Sequence, residues 1–132
     1  MKKLTPLALL LLTLLAPEAR AQNGVGACPF GAASLVSSYQ EMITVSSTAV
    51  GFTAATYKPT DGRPAAVCAT VVVNTTSISW WPTGSTPTAA VGVITTSGNS
   101  FSVGTTDLPK FLMIRATGSD SLVAIVYFTL AQ

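Results

Sequence analysis

Ala65-Ala66-Val67-Cys68-Ala69-Thr70-Val71-Val72-Val73-Asn74-Thr75-Thr76-Ser77-Ile78-Ser79-Trp80-Trp81-Pro82-Thr83-Gly84-Ser85-Thr86-Pro87-Thr88-Ala89-Ala90-Val91-Gly92 reads as strand, turn, strand and long loop. On an extended chain, Val67, Ala69, Val71 and Val73 fall on one side, and Ala66, Cys68, Thr70 and Val72 on the other. The valine side is the better core face, so Cys68 is expected to point away from the core. Asn74-Thr75-Thr76 interrupts the run as a turn does. Beyond it, Ile78 and Trp80 share one direction while Ser77, Ser79 and Trp81 share the other. Trp80 is therefore the expected core residue, and Trp81 is expected at the surface or at an interface.

The same reading extends outward. Ala32 to Gln40 is expected to form a short helical turn or irregular lead-in, and Met42 to Ser46 the first strand. Val50 to Tyr57 is expected as a second strand, followed by a turn over Lys58 to Pro64, where two prolines and Asp61-Gly62 oppose regular structure. After the central stretch, Val91–Thr95 and Ser100–Val103 flank the hairpin signal Thr96-Ser97-Gly98-Asn99. Phe111–Ala116 and Leu122–Leu130 close the chain. The last, rich in β-branched and aromatic residues, is expected to lie centrally in a sheet. About seven to eight short strands with frequent turns and no amphipathic helix predict an all-β fold: one antiparallel, jelly-roll-like β-sandwich, with a closed barrel as the alternative.

The first residues carry a different signal. Lys2 and Lys3 precede an apolar run from Leu7 to Leu15, and Ala19-Arg20-Ala21 is a small-x-small cleavage site. Residues 1–21 are read as a secretory signal peptide of bacterial style, too short and wrongly flanked for a membrane anchor. Residues 22–40 are expected as an extended N-terminal arm and residues 41–132 as the sandwich. The expected location is secreted, periplasmic or at a cell or virion surface. Removal of residues 1–21 leaves Lys58, Arg63, Lys110 and Arg115 balanced by Glu41, Asp61, Asp107 and Asp120. This neutral, hydroxyl-rich remainder offers no basic patch for nucleic acid and no means of stable membrane insertion. Charges this sparse predict a surface covered in large part by neighbours.

Catalytic groups are scarce. The chain of 132 residues contains no histidine, which removes the usual general base and the commonest metal ligand. The serines lack a Gly-x-Ser-x-Gly elbow, and the acids stand in or beside turns and strand starts. No catalytic residue, metal site or cofactor is expected. Cys28 and Cys68 form an even pair in an exported chain, and a disulfide between them is expected to pin the arm to the back of the Cys68 strand. Asn74-Thr75-Thr76 matches the glycosylation tripeptide, but in a bacterial-type exported chain it is read as turn chemistry.

Ile78-Ser79-Trp80-Trp81-Pro82-Thr83-Gly84-Ser85-Thr86-Pro87-Thr88, with Gly92 following, resembles small β-sandwich proteins that tailed bacteriophages encode among their virion genes. In that group an Ile-Arg-aromatic strand end leads into Asp-Gly-x-x-Pro-Thr, a small-residue spacer, a Gly and a hairpin. Ile114-Arg115 and Val126-Tyr127-Phe128 stand where the group has its later Ile-Arg and Val-x-Tyr elements, so the likeness runs over about residues 42–130. Ser79 replaces the group's Arg and Thr83 its Asp. The resemblance implies a structural or surface-decorating subunit, here in exported form, that self-associates or coats a larger protein assembly. The alternative is a secreted carbohydrate-binding or adhesin-like module with a glycan partner. Trp81, Thr83, Ser85, Thr86 and Thr88 are the candidate binding or interface residues under either reading.

Overall fold

Strand formation follows the β-branched runs. The computed structural model describes Cys28 and residues 34–132. Its strands are β1 (Leu35–Val45), β2 (Cys68–Val73), β3 (Ile78–Trp81), β4 (Val93–Thr95), β5 (Ser100–Gly104), β6 (Leu112–Arg115) and β7 (Ser121–Leu130). A four-residue helix, α1 (Ala54–Tyr57), lies between β1 and β2. Every pairing is antiparallel, in a larger sheet of order β1-β7-β2-β5 and a smaller one of order β4-β3-β6. The sheets form a sandwich and do not close into a barrel. An isolated antiparallel bridge joins Val50 to Met113 on the free side of β6. With that bridge counted as a vestigial strand after β1, the order is that of an eight-stranded jelly roll with one strand reduced to a single pair.

The expected sides are realised. Ala69, Val71 and Val73 are fully buried, while Thr70 and Val72 on the opposite side are half-buried. Alternation fails at the lead-in: Ala66 joins the core and Val67 does not. The Ala66 N–H is drawn to the Tyr57 carbonyl at 2.8 Å before the ladder begins, which turns the backbone ahead of Cys68. β7 does lie centrally, between β1 and β2.

Three expected features differ. The strands flanking Thr96–Asn99 do not form a hairpin: β4 pairs with β3 in the smaller sheet and β5 with β2 in the larger, so the turn at Gly98 carries the chain from one sheet to the other. The first strand begins at Leu35, well before Met42, because β7 extends to Leu130 and offers β1 partners along its whole length. The ladder runs from Leu35 opposite Leu130 to Val45 opposite Ser121, with an irregularity between Ser37 and Tyr39. Val50 to Tyr57 is not a strand. Val50 alone exchanges both backbone bonds with Met113, each at 2.9 Å. At Gly51 an added Cβ would stand 2.8 Å from the Phe111 carbonyl oxygen, so the chain runs against backbone there. The Thr53 carbonyl then accepts from the Thr56 and Tyr57 N–H groups, closing a helical turn. That turn places Phe52 and Tyr57 together on the core, whereas a strand would send them to opposite sides.

Aromatic rings fill the space between sheets. Trp80 stacks on Phe101 at 4.3 Å between centroids, and Phe52 stacks on Phe111 at 4.5 Å. Tyr127 meets the Phe52 ring edge to face at 5.8 Å. Its hydroxyl donates to Glu41, which also accepts from the Thr53 N–H at 3.1 Å. Burial, reinforced by the bond to Glu41, pushes the Tyr127 hydroxyl far above its ordinary range, so it remains a donor throughout the physiological range. Among the described residues, no buried side-chain nitrogen or oxygen lacks a partner.

Candidate functional site

Cys28 and Cys68 form a disulfide with 5.4 Å between their Cα atoms. Cys68 has the outward parity of Thr70 and Val72, so the bond holds Cys28 against the outer side of the larger sheet. Such a bond fits an oxidising compartment. The expected signal peptide at residues 1–21 and the rest of the expected arm up to Ala33 lie outside the described residues. Among those described, no helix is long and apolar enough to cross a membrane.

The tryptophan pair divides as its alternation predicts. Trp80 is 1% exposed, and its indole N–H donates to the Thr95 hydroxyl at 2.9 Å. Trp81, at the end of β3, is half-buried with outward parity, paired with Leu112. The loop after it folds back over Ser79, whose hydroxyl donates to the Val91 carbonyl at 3.2 Å. Gly92 makes this return possible. It holds φ at +147°, and an added Cβ would lie 2.3 Å from the Ser79 hydroxyl and 3.2 Å from the Trp80 carbonyl oxygen. Gly92→Ala is therefore expected to lower unfolding free energy by about 2–3 kcal/mol, because strained backbone and a contact with strand backbone combine. Thermal or denaturant unfolding reads this, and a loss under about 0.5 kcal/mol would show that the loop yields freely.

Within that loop Pro82 and Pro87 are buried, whereas Thr83, Ser85, Thr86 and Thr88 are exposed. The Thr88 hydroxyl accepts from the Val91 N–H at 3.0 Å, closing a local turn. Thr83, Ser85 and Thr86 present hydroxyls near Trp81 in sequence, with no carboxylate or basic group among them. The neighbouring outward positions of the smaller sheet are apolar: Ile94 and Ile114 flank Ser79, and Ile94 is 48% exposed.

A second surface escaped the sequence reading. On β7 the inward residues Val123, Ile125 and Tyr127 are fully buried, and the outward ones are Leu122, Ala124, Val126, Phe128 and Leu130. Leu122 and Leu130 are 37% and 42% exposed, and Met42, opposite Ala124, is 57% exposed. Outward neighbours on the adjoining strands include Thr70, Val72 and Ser102. No charged side chain stands among these outward positions. Two shallow hollows, of about 220 and 390 Å³, follow the β1–β7 seam beside Val126. The available signal was the unbroken apolar run of β7, which belongs to strands covered on both faces.

Charge is placed elsewhere. Asp61 and Arg63 pair at 2.7 Å within the β1–β2 connection, and Arg115 pairs with Asp120 at 2.8 Å at the β6–β7 turn. The Arg63 N–H, with its guanidinium, holds the Asp61 carboxyl below its usual range. These exposed pairs contribute little stability. Among the described residues, no group of three or more His, Cys, Asp or Glu side chains could hold a metal. A cleft of about 370 Å³ lined by Tyr57, Lys58, Ala65, Ala66, Thr105, Leu108 and Pro109 has a single ionisable amine and no acid beside it. Comparison with protein-family models, curated proteins and solved structures finds no match to this chain.

Proposed function

We propose that the protein is a non-enzymatic structural or surface-decorating subunit, similar to the β-sandwich modules of phage virions, that self-associates or coats a larger assembly outside the cytosol. The observation that carries this reading is the separation of charge from the sheet faces. The ion pairs sit in the β1–β2 connection and at the β6–β7 turn, where Arg115 ends β6, while the outer face of the larger sheet is apolar or neutral-polar, with exposed Gln40 opposite Val126. Apolar surface of this kind is costly to leave in water and is characteristic of contact surfaces. The non-enzymatic part is supported by the acids: Asp61, Asp120 and Glu41 are engaged by Arg63, Arg115 and Tyr127 in structural bonds. A jelly roll serves both viral coats and lectins, so the fold does not choose between them.

Sedimentation of the exported protein in low and high salt tests the proposal. Association is expected at micromolar concentration and is expected to persist in high salt, because apolar contact is not screened. Association abolished by salt would contradict an apolar contact. The glycan-binding reading draws on Trp81, half-buried and followed in sequence by exposed Thr83, Ser85 and Thr86. Binding on a glycan array that disappears in Trp81→Ala would favour that reading instead.

A further inference from the structure

Resting on the self-association proposed above, we infer that the free edge of β1 is the contact between copies of this chain, with β1 pairing to β1 of a second copy across a two-fold axis at Met42. β1 is the outermost strand of the larger sheet, and among the described residues only β7 pairs with it. The ladders fix which backbone groups it leaves over. The Asn74 N–H donates to the Leu122 carbonyl, so the even-numbered residues of β7 turn their N–H and C=O groups toward β2. The odd-numbered ones, Val123, Ile125 and Tyr127, turn theirs toward Ile43, Glu41 and Tyr39. Gln40, Met42 and Thr44 therefore point their backbone donors and acceptors away from the sheet. No hydrogen bond among the described residues occupies them, and their side chains are exposed, that of Met42 by 57%.

An open edge of this length is a template for another strand. β1 has 11 residues, against 5 in β5 and 3 in β4, while the outer side of β6 is met by Val50. It carries no lysine, arginine or proline to block pairing, and its one charge, Glu41, points inward and accepts from Tyr127 and Thr53. A second copy supplies an edge with the same three open positions, and the register follows. With the axis at Met42, Gln40 meets Thr44 of the second copy, Met42 meets Met42, and Glu41 falls opposite Ile43. All three open positions then pair, giving about six hydrogen bonds. An axis at Glu41 would oppose two carboxylates and run Thr44 against Ser38, inside the irregularity between Ser37 and Tyr39. An axis at Ile43 would run Gln40 against Ser46, beyond the strand. The Met42 register joins two four-stranded sheets edge to edge through reciprocal contacts. The expected arm of the same chain does not suit this edge. Cys28 ties it to β2, level with Ser37 and about 10 Å from β1 across β7. Residues 22–27 reach about 20 Å, too little to cross β7 and β1 and then run from Gln40 to Thr44.

The test is residue-resolved amide hydrogen exchange on the oxidised wild type, joined to sedimentation of wild type, Met42→Pro and Met42→Lys. In wild type at about 100 μM the Gln40, Met42 and Thr44 amides are expected to be protected, and to lose that protection on dilution as copies separate. Met42→Pro removes an N–H that the β1–β7 ladder does not use, so the fold is expected to stand while the dissociation constant rises roughly 100-fold. Met42→Lys sets two ammonium groups across the axis at an exposed position and is expected to weaken association roughly tenfold. It reads the same contact even if the proline variant does not fold. An associated wild type whose three amides exchange freely, or whose association survives both substitutions, overturns this interface while leaving self-association standing. A wild type that is monomeric at about 100 μM overturns both the interface and the self-association reading, and protection of the three amides in that monomer would mean that the chain covers its own edge.

Discussion

Trp80→Ala is expected to lower the unfolding free energy by about 3–5 kcal/mol, among the largest losses available to one substitution in this fold. The indole is 1% exposed and stacked on Phe101 at 4.3 Å, with Phe111 at 5.5 Å. Truncation therefore opens a cavity between the two sheets, at the residue where the β3 ladder meets the aromatic cluster. It also leaves the Thr95 hydroxyl without the indole donor it accepts at 2.9 Å. The adjacent Trp81 gives the control. It is half-buried on the outer side of the same strand, and Trp81→Ala is expected to cost under about 1.5 kcal/mol. Denaturant midpoints of both variants decide the matter. Equal losses would mean that both rings are core residues and that the strand does not alternate at its end.

Loss of the Cys28–Cys68 bond is expected to cost about 3–4 kcal/mol, from the chain entropy of a closed loop of about 40 residues. The sequence separation is 40, and Cys68 is fully buried at the start of a strand paired on both sides. Replacing both cysteines with alanine is the cleaner experiment, since a single replacement leaves a thiol. The unfolding midpoint of the double variant should fall well below that of the oxidised protein. It should match that of reduced, alkylated wild type. Two freely alkylated thiols in native material would contradict the bond itself.

Much of this structure was legible because period and chemistry coincide where strands are half-buried. The β2 valines, the Trp80–Trp81 division, the turn at Gly98 and the cysteine pair all follow from alternation, turn residues or an even thiol count, but the hairpin expected across Gly98 does not form, because β4 pairs with β3 and β5 with β2. Misreadings arose where tertiary partners outweighed local pattern. Phe52 to Tyr57 has strand-like composition, yet Gly51 runs against the Phe111 carbonyl and the chain winds a turn that delivers both aromatics to the core. Leu35 to Gln40 has weak apolar spacing but is held in β1 by its ladder to β7.

The candidate surfaces were only half legible. Exposure of Thr83, Ser85 and Thr86 follows from turn chemistry, and Gly92 was noticed without its reason, the close approach to Ser79. The β7 column was read as ordinary central-strand hydrophobicity. Its outward orientation depends on which sheet packs against which, and no local pattern carries that information.

The most direct measurement is light scattering on the oxidised protein over a dilution series from about 100 μM to about 1 μM, a range that spans ordinary specific affinities. The account predicts a mass above that of one chain at the top of the series, falling toward one chain on dilution or staying fixed if the assembly is tight. A mass of one chain at every concentration, together with specific glycan binding, would contradict the structural-subunit account and leave the lectin-like one in its place.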